Sequence, residues 1–263
     1  MDLGFQDRTV VVTGGSSGIG LAAVRLLLAE GARVAFCARG AERLRAVSDD
    51  LTREFGADRV LSQAVDVLDA SAVDGFAATV ADTFGPVQAL LTNAGQGRVS
   101  TFADTSDDDW RAELDLKYFS QINPIRAFKP ALISSGQGAI VATNSLLAYQ
   151  PEPHMVCTSS ARAGIQSLLK SLSVELAPDI RVNSIVLGLV DSNQWQRRFD
   201  AREDPSQTRD DWYGALARRK SIPLGRLGRA EEAARALLFL ASPAASYITG
   251  AHLEISGGLS RHV

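Results

Sequence analysis

Short runs of β-branched and apolar residues recur along the chain at 8–14 (RTVVVTG), 33–39 (RVAFCAR), 60–67 (VLSQAVDV), 87–95 (VQALLTNAG), 138–145 (GAIVATNS), 180–188 (IRVNSIVLG) and 251–258 (AHLEISGG). Most are closed by Gly, Asn or Ser, and they read as strands. Their apolar positions are nearly continuous rather than alternating, the pattern of parallel strands covered on both faces. Helical patterns fill the intervals 18–30, 41–55, 70–83, 107–133, 156–177 and 230–241. In the fifth of these, Ala161, Ile165, Leu168, Leu169, Leu172 and Leu176 fall at helical spacing and predict one buried stripe. Alternation of this kind predicts an α/β fold, a doubly wound parallel sheet whose ligand crevice lies at the carboxyl ends of the strands. Residues 1–263 are expected to form one domain. The segment 189–229, rich in Asp, Arg, Gln and Pro, is too long for an ordinary connection and is expected to be irregular, a candidate substrate lid.

Composition narrows the function. With 263 residues, 46% of them hydrophobic, there is ample material for a core, and a formal charge of −3 supplies no field for nucleic acid or an anionic membrane. A small-molecule substrate is the expected partner. Cys37 and Cys157 lie inside apolar segments and read as buried thiols, not as a disulfide framework or a metal site. No apolar leader and no long apolar run is seen, which predicts a cytoplasmic protein.

The first run leads directly into TGGSSGIG (13–20) and then an apolar helix. Gly14 permits a tight turn, Gly18 lets backbone approach a pyrophosphate, and Gly20 lets the helix pack closely on the sheet with its N-terminus toward the phosphates. This loop, with DV (66–67), TNAG (92–95), Ser145, IRVNS (180–184), IPLGRLGRAEEAARALLFLAS (222–242) and YITGAHLEISGG (247–258), resembles the classical short-chain dehydrogenase/reductase family over almost the whole chain. The resemblance implies a three-layer, Rossmann-like sheet of seven strands, a nicotinamide cofactor and a homo-oligomer, tetramer or dimer. It also implies that Ser16, Ser17 and Ile19 join the three glycines at the cofactor. Asp66 and Val67 would contact the adenine, Asn93, Ala94 and Gly95 would line the cofactor, and Gly188 and Ser192 would lie near the nicotinamide. Leu187 stands where the family usually has a proline.

Charge separates the two nicotinamide cofactors. Ala38 occupies the position at which an NAD-preferring member carries an acidic residue, and Arg39 follows it. Nothing there repels a 2′-phosphate, and a guanidinium can bind one in a bidentate fork, so NADP(H) is expected over NAD(H).

At the reaction centre the family pattern fails. The resemblance implies a tyrosine that exchanges the substrate oxygen's proton, a lysine four residues on, a serine on the carbonyl and an asparagine in the fourth helix. Ser145 is present, but Thr158, Arg162 and Lys117 stand at the tyrosine, lysine and asparagine positions. An aliphatic hydroxyl cannot be tuned to neutrality as a phenol can. A guanidinium still binds ribose hydroxyls but passes no proton. Lys117 is either an acid, base or clamp with a lowered pKa, or a charge on a solvated helix face. Tyr149 and, less so, Tyr118 are alternative proton donors, whereas His154 reads as a surface residue. In the lid, Trp195, Phe199, Trp212 and Tyr213 either wall a pocket or pack the segment down, and Arg197, Arg198, Arg218 and Arg219 either meet an anionic substrate tail or face water. Two functions compete: an NADP(H)-dependent oxidoreductase of a small carbonyl, alcohol or conjugated enoyl compound with a displaced proton relay, or a catalytically silent NADP(H)-binding sensor or scaffold.

Overall fold

The structure, a computed structural model, describes residues 2–261 apart from the side chains of Asn193, Gln194 and Arg197. Strands β1 (Thr9–Thr13), β2 (Arg33–Ala38) and β3 (Val60–Ala64) alternate with helices α1 (Gly18–Ala29), α2 (Ala41–Phe55) and α3 (Ala70–Phe84). Then follow β4 (Ala89–Thr92), α4 (Asp107–Ser134), β5 (Gly138–Ser145), α5 (Val156–Glu175) and β6 (Ile180–Leu187). Helices α6 (Asn193–Asp200), α7 (Arg209–Arg219) and α8 (Ala230–Ala241) precede β7 (His252–Ile255). All pairings are parallel, in the order β3-β2-β1-β4-β5-β6-β7. The chain reverses direction across the sheet between β1 and β4, which fixes the ligand crevice at the carboxyl ends of those strands.

Alternate residues of each strand serve the two faces. Val10 and Val12 pack with α1, α2 and α8, and Val11 packs with α3, α4 and α5. On the second face Phe76 meets Phe128 edge-on at 5.7 Å between ring centroids. Each fully buried side chain of this size contributes about 1.5–3 kcal/mol. The predicted stripe is largely there: Ala161, Ile165, Leu169 and Leu176 are buried, with Leu168 and Leu172 packed partly against them.

Three expectations are corrected. The apolar run 60–67 outlasts β3, which ends at Ala64 where its partner β2 ends at Ala38; Val65 and Val67 are buried beyond the sheet. The run 87–95 likewise outlasts β4, because the Asn93 and Ala94 N–H groups both donate to the Thr13 hydroxyl, at 3.0 and 3.1 Å, instead of extending the ladder. The segment 189–229 is not irregular throughout. It contains α6 and α7, the latter started by the Thr208 side chain accepting from the Asp211 N–H. It also has its own core of Leu216, Ala217, Ile222 and Leu227.

Candidate active site

A cleft of about 880 Å³ lies at the switch point, lined by Gly14, Ser16, Ser17, Gly18 and Ile19 of the loop into α1. Arg39, Asp66, Val67, Asn93, Ala94, Gly95, Arg162 and Ser192 of the predicted set also line it, with Ala38 beside them, whereas Gly188 does not. Gly20 stands behind it. A Cβ there would lie 2.2 Å from the Gly14 carbonyl oxygen, so only glycine lets α1 seat against the β1 turn. Gly14 itself has φ +73 and would bring a Cβ to 2.9 Å from Ala94 Cα. The N-cap of α1, Ser17, makes no side-chain cap bond, which leaves the first N–H groups of the helix free for an anion. Arg43, one turn beyond Arg39, lines the same rim. It was not among the predicted residues, and its four-residue spacing from Arg39 is the sequence signal for it.

A second cavity, about 260 Å³, shares Ile19, Gly97, Thr143, Arg162, Leu187 and Ser192 with the cleft. Ser145, Thr158 and Gly188 open onto it. Gly188 is tight: a Cβ would lie 2.9 Å from Ser256 Cα. Ser145 ends β5, and its Oγ accepts from the Leu147 N–H at 3.2 Å, leaving its own proton without an acceptor among the described residues. Arg162 donates from Nη1 to the Thr143 carbonyl at 2.8 Å, while its buried Nε has no partner. Burial lowers its pKa to about 10, and the Glu113 charge opposes that shift. An orphaned guanidinium N–H at the junction of the two cavities is the kind of group a ribose or a substrate oxygen satisfies.

Thr158 is buried, and its proton is already committed. Its hydroxyl donates to the Glu113 carboxylate and accepts from the Arg98 N–H at 3.3 Å. Lys117 is not on a solvated face: Glu113 Oε1 is 2.6 Å from its Nζ, with the two side chains 3% and 2% exposed. The ammonium also donates to the Gln96 carbonyl at 2.6 Å. Lys117 lines neither cavity; it stands one layer behind Thr158. Burial, then the Arg162 charge, lower its pKa to about 8, against the pull of Glu113. Glu113 was not among the predicted residues. Its signal was the Glu-x-x-x-Lys spacing in α4, which reads as a surface ion pair.

Neither alternative tyrosine faces the second cavity. The Tyr149 hydroxyl accepts from the Gln166 side chain, and its pKa is raised chiefly by burial, with the Glu254 charge adding to it and the Gln166 bond opposing. Tyr118 packs against Gly164. His154 lines the cavity mouth beside Glu152, which also holds Lys220 at 2.9 Å. Of the described aromatics of 189–229, Trp195 alone lines the cavity, with the Arg198 guanidinium 4.5 Å from its ring centroid. Phe199 and Tyr213 pack on Trp212, at 6.0 and 5.4 Å, and hold the segment together. Arg218 and Arg219 are exposed, and the Arg197 side chain is outside the described residues. Among the described residues no helix is long and apolar enough to cross a membrane, and no cluster of His, Cys, Asp and Glu has the makings of a metal site.

Residues 14–260 match the family model described as enoyl-(acyl carrier protein) reductase. Acetoacetyl-CoA reductase of Synechocystis sp. is 32% identical over 260 residues, 98% of each chain. A short chain oxidoreductase from Pseudomonas aeruginosa PAO1, described as containing an atypical catalytic center, is 56% identical. Its apo form gives a TM-score of 0.96, covering 98% of this chain and 99% of that one. Its NADPH-bound form gives 0.93, covering 98% of both. L-Sorbose reductase from Gluconobacter frateurii, complexed with NADPH and L-sorbose, gives 0.94 at 31% identity with complete coverage of both chains. A match of this length to the family model and to the curated reductase means that the chain belongs to the short-chain dehydrogenase/reductase family.

Proposed function

We propose that this protein is an NADPH-dependent reductase of small carbonyl or conjugated enoyl compounds that stabilises the substrate's developing negative oxygen with Ser145 and Arg162 in place of a tyrosine acid. The observation that carries the reading is the second cavity, lined by Ser145, whose proton has no acceptor among the described residues, and by Arg162, whose buried Nε lacks a partner. The crevice fits NADPH. Gly14, Ser16, Ser17 and Gly18 with the uncapped start of α1 would hold the pyrophosphate, Arg39 and Arg43 the 2′-phosphate, and Asp66 and Val67 the adenine. Asn93, Ala94, Gly95, Gly188 and Ser192 would keep the nicotinamide end. Bound there, NADPH would supply hydride to the substrate carbon, and the proton that completes the reduced product would come from solvent. Ser145 donates to the substrate oxygen, and Arg162, with Lys117 behind it, supplies positive charge where negative charge develops. The NADPH complexes of two relatives, one with an atypical catalytic center, support this reading. The segment 189–229 acts as the lid, presenting Trp195 and Arg198 to the substrate. The exposed Phe102, Leu114 and Phe119 suit a homo-oligomer, tetramer or dimer, acting in the cytoplasm.

The test is NADPH oxidation across a panel of ketones, 3-ketoacyl thioesters and conjugated enoyl thioesters. Ser145→Ala is expected to lower kcat by ~10²-fold with NADPH affinity nearly unchanged. An unaltered rate moves the reaction away from Ser145. A second reading, a silent NADP(H)-binding sensor or scaffold, draws on the commitment of the Thr158 proton to Glu113 and on the absence of a described tyrosine from the cavity wall. Tight NADPH binding with no turnover on the whole panel would decide for it.

A further inference from the structure

A Glu and a Lys four residues apart on a helix normally face water, where such a pair is worth a few tenths of a kcal/mol. In α4 the pair is inside the protein, with both side chains at most 3% exposed. Burying two charges costs more than packing apolar residues of the same size, so stability alone does not account for it. The partners of the pair point to a use. Glu113 accepts from Thr158, which opens onto the substrate cavity. Lys117 donates to the carbonyl of Gln96, which lines the cofactor cleft. The charge of Arg162, which lines both cavities, reaches each member of the pair.

We propose that Glu113 is a positioning residue of the reaction centre: its carboxylate turns the Thr158 hydroxyl and retains the Lys117 ammonium, setting the charge of the site without touching substrate or cofactor. The inference rests on the reductase reading. It concerns three charges at close quarters, Lys117 and Arg162 positive and Glu113 negative, which leave one positive charge for the substrate oxygen. The groups facing Lys117 are Glu113 on its own helix, Arg162 from α5 and the Gln96 carbonyl from the segment after β4, while Thr158 of α5 is bonded to Glu113. On that segment the Arg98 side chain pairs with Asp109 at 2.7 Å while its N–H meets Thr158. Without the carboxylate two buried cations face each other, and the ammonium, the one that can lose a proton, gives it up. In the same change the Thr158 hydroxyl loses its carboxylate acceptor and is left with the Arg98 carbonyl, at 3.3 Å.

The chain has four lysines, so 13C-lysine NMR of the NADPH-bound protein resolves the titration of Lys117, assigned by its loss in Lys117→Met. In Glu113→Gln the Lys117 midpoint is expected to fall by about one pH unit or more, and in Glu113→Asp to stay near the wild-type value. The alkaline limb of kcat/KM for NADPH-dependent reduction should move with it, mainly through kcat. A midpoint that Glu113→Gln leaves in place overturns the proposal, as does a shifted midpoint with an unshifted rate profile. Should Glu113→Gln not fold, the neutral pair Glu113→Gln/Lys117→Met is the second arm: recovery of folding supports the coupling, and failure to recover assigns Glu113 to the scaffold. Wild-type protein without turnover sinks the reductase reading, and the Lys117 midpoint still decides this inference.

Discussion

Neutralising the buried pair should change how stability depends on pH within one narrow window. Lys117 is lowered from 10.5 to about 8, first by burial and then by the Arg162 charge. For a base whose folded pKa lies below its unfolded value, the unfolded chain keeps the proton longer as pH rises. Stability therefore increases with pH from the folded pKa toward the unfolded one. The full shift corresponds to a cost of roughly 3 kcal/mol at neutral pH that is relieved across that interval. Cys37 acts in the opposite sense. Burial pushes its thiol from 9.0 up to about 12, so above pH 9 the unfolded thiol ionises while the folded one does not, and stability falls. Between pH 8 and 9 the two separate: Lys117 adds about 1 kcal/mol and Cys37 removes about 0.3 kcal/mol.

The assay is urea unfolding of wild type and Glu113→Gln/Lys117→Met in half-unit steps across that window. The double variant is the right comparison because removing Lys117 alone strands a buried carboxylate. Wild type should gain stability while the double variant loses a little, a divergence of about 1 kcal/mol, or roughly 0.4 M in urea midpoint. Parallel curves would mean that Lys117 does not titrate near 8, and the description of its surroundings as desolvating would be wrong.

Arg39→Ala should weaken NADPH about tenfold and leave NADH nearly unchanged, with a larger loss when Arg43→Ala is added, since both arginines line the rim of the cleft; equal affinities of wild type for the two cofactors, read by fluorescence titration, would defeat the assignment. Thr158→Tyr with Arg162→Lys should gain less ketone reduction than the set that also carries Lys117→Asn and Glu113→Gln, because two ammonium groups and an acid-pairing carboxylate would otherwise remain behind the new phenol. Steady-state NADPH oxidation by folded, cofactor-binding variants checks it, and a fully active double variant would make Lys117 and Glu113 bystanders.

The sheet was legible because strands covered on both faces leave nearly unbroken β-branched runs, and Val10 to Val12 show why: alternate residues serve different helical layers, yet all are buried. Strand ends were less legible. Val65 and Val67 are as apolar as any strand residue, but they continue past the last partner in β2 to wall the cofactor cleft. Composition also misread 189–229, whose polar sequence hides two helices held together by aromatic contacts around Trp212. The glycine loop was readable because each glycine answers a local steric demand. Lys117 and Glu113 were not, because their own helix gives no sign of which face is covered. Their burial is decided by α5 and by the segment after β4, which are distant in sequence.

That dependence explains why the departures from the family pattern belong together. A tyrosine acid beside a lysine keeps proton and positive charge on neighbouring groups, so one pair both stabilises and protonates the substrate oxygen. In the proposed function the two tasks lie on different residues. The Thr158 proton is held by Glu113, the Ser145 hydroxyl proton has no acceptor among the described residues, and the positive charge is shared by Arg162 at the cavity wall and Lys117 behind it. Arg162 cannot relay a proton, but it provides charge at the junction whatever the pH of the cell. Lys117 and Arg162 together would be too much positive charge for one buried site, and Glu113 reduces it to a single excess. Substituting Glu113 leaves two buried cations facing each other and the Thr158 hydroxyl without its carboxylate acceptor. On the proposed function the arrangement works as a set, one that would stabilise an oxyanion rather than deliver a proton from the Thr158 position.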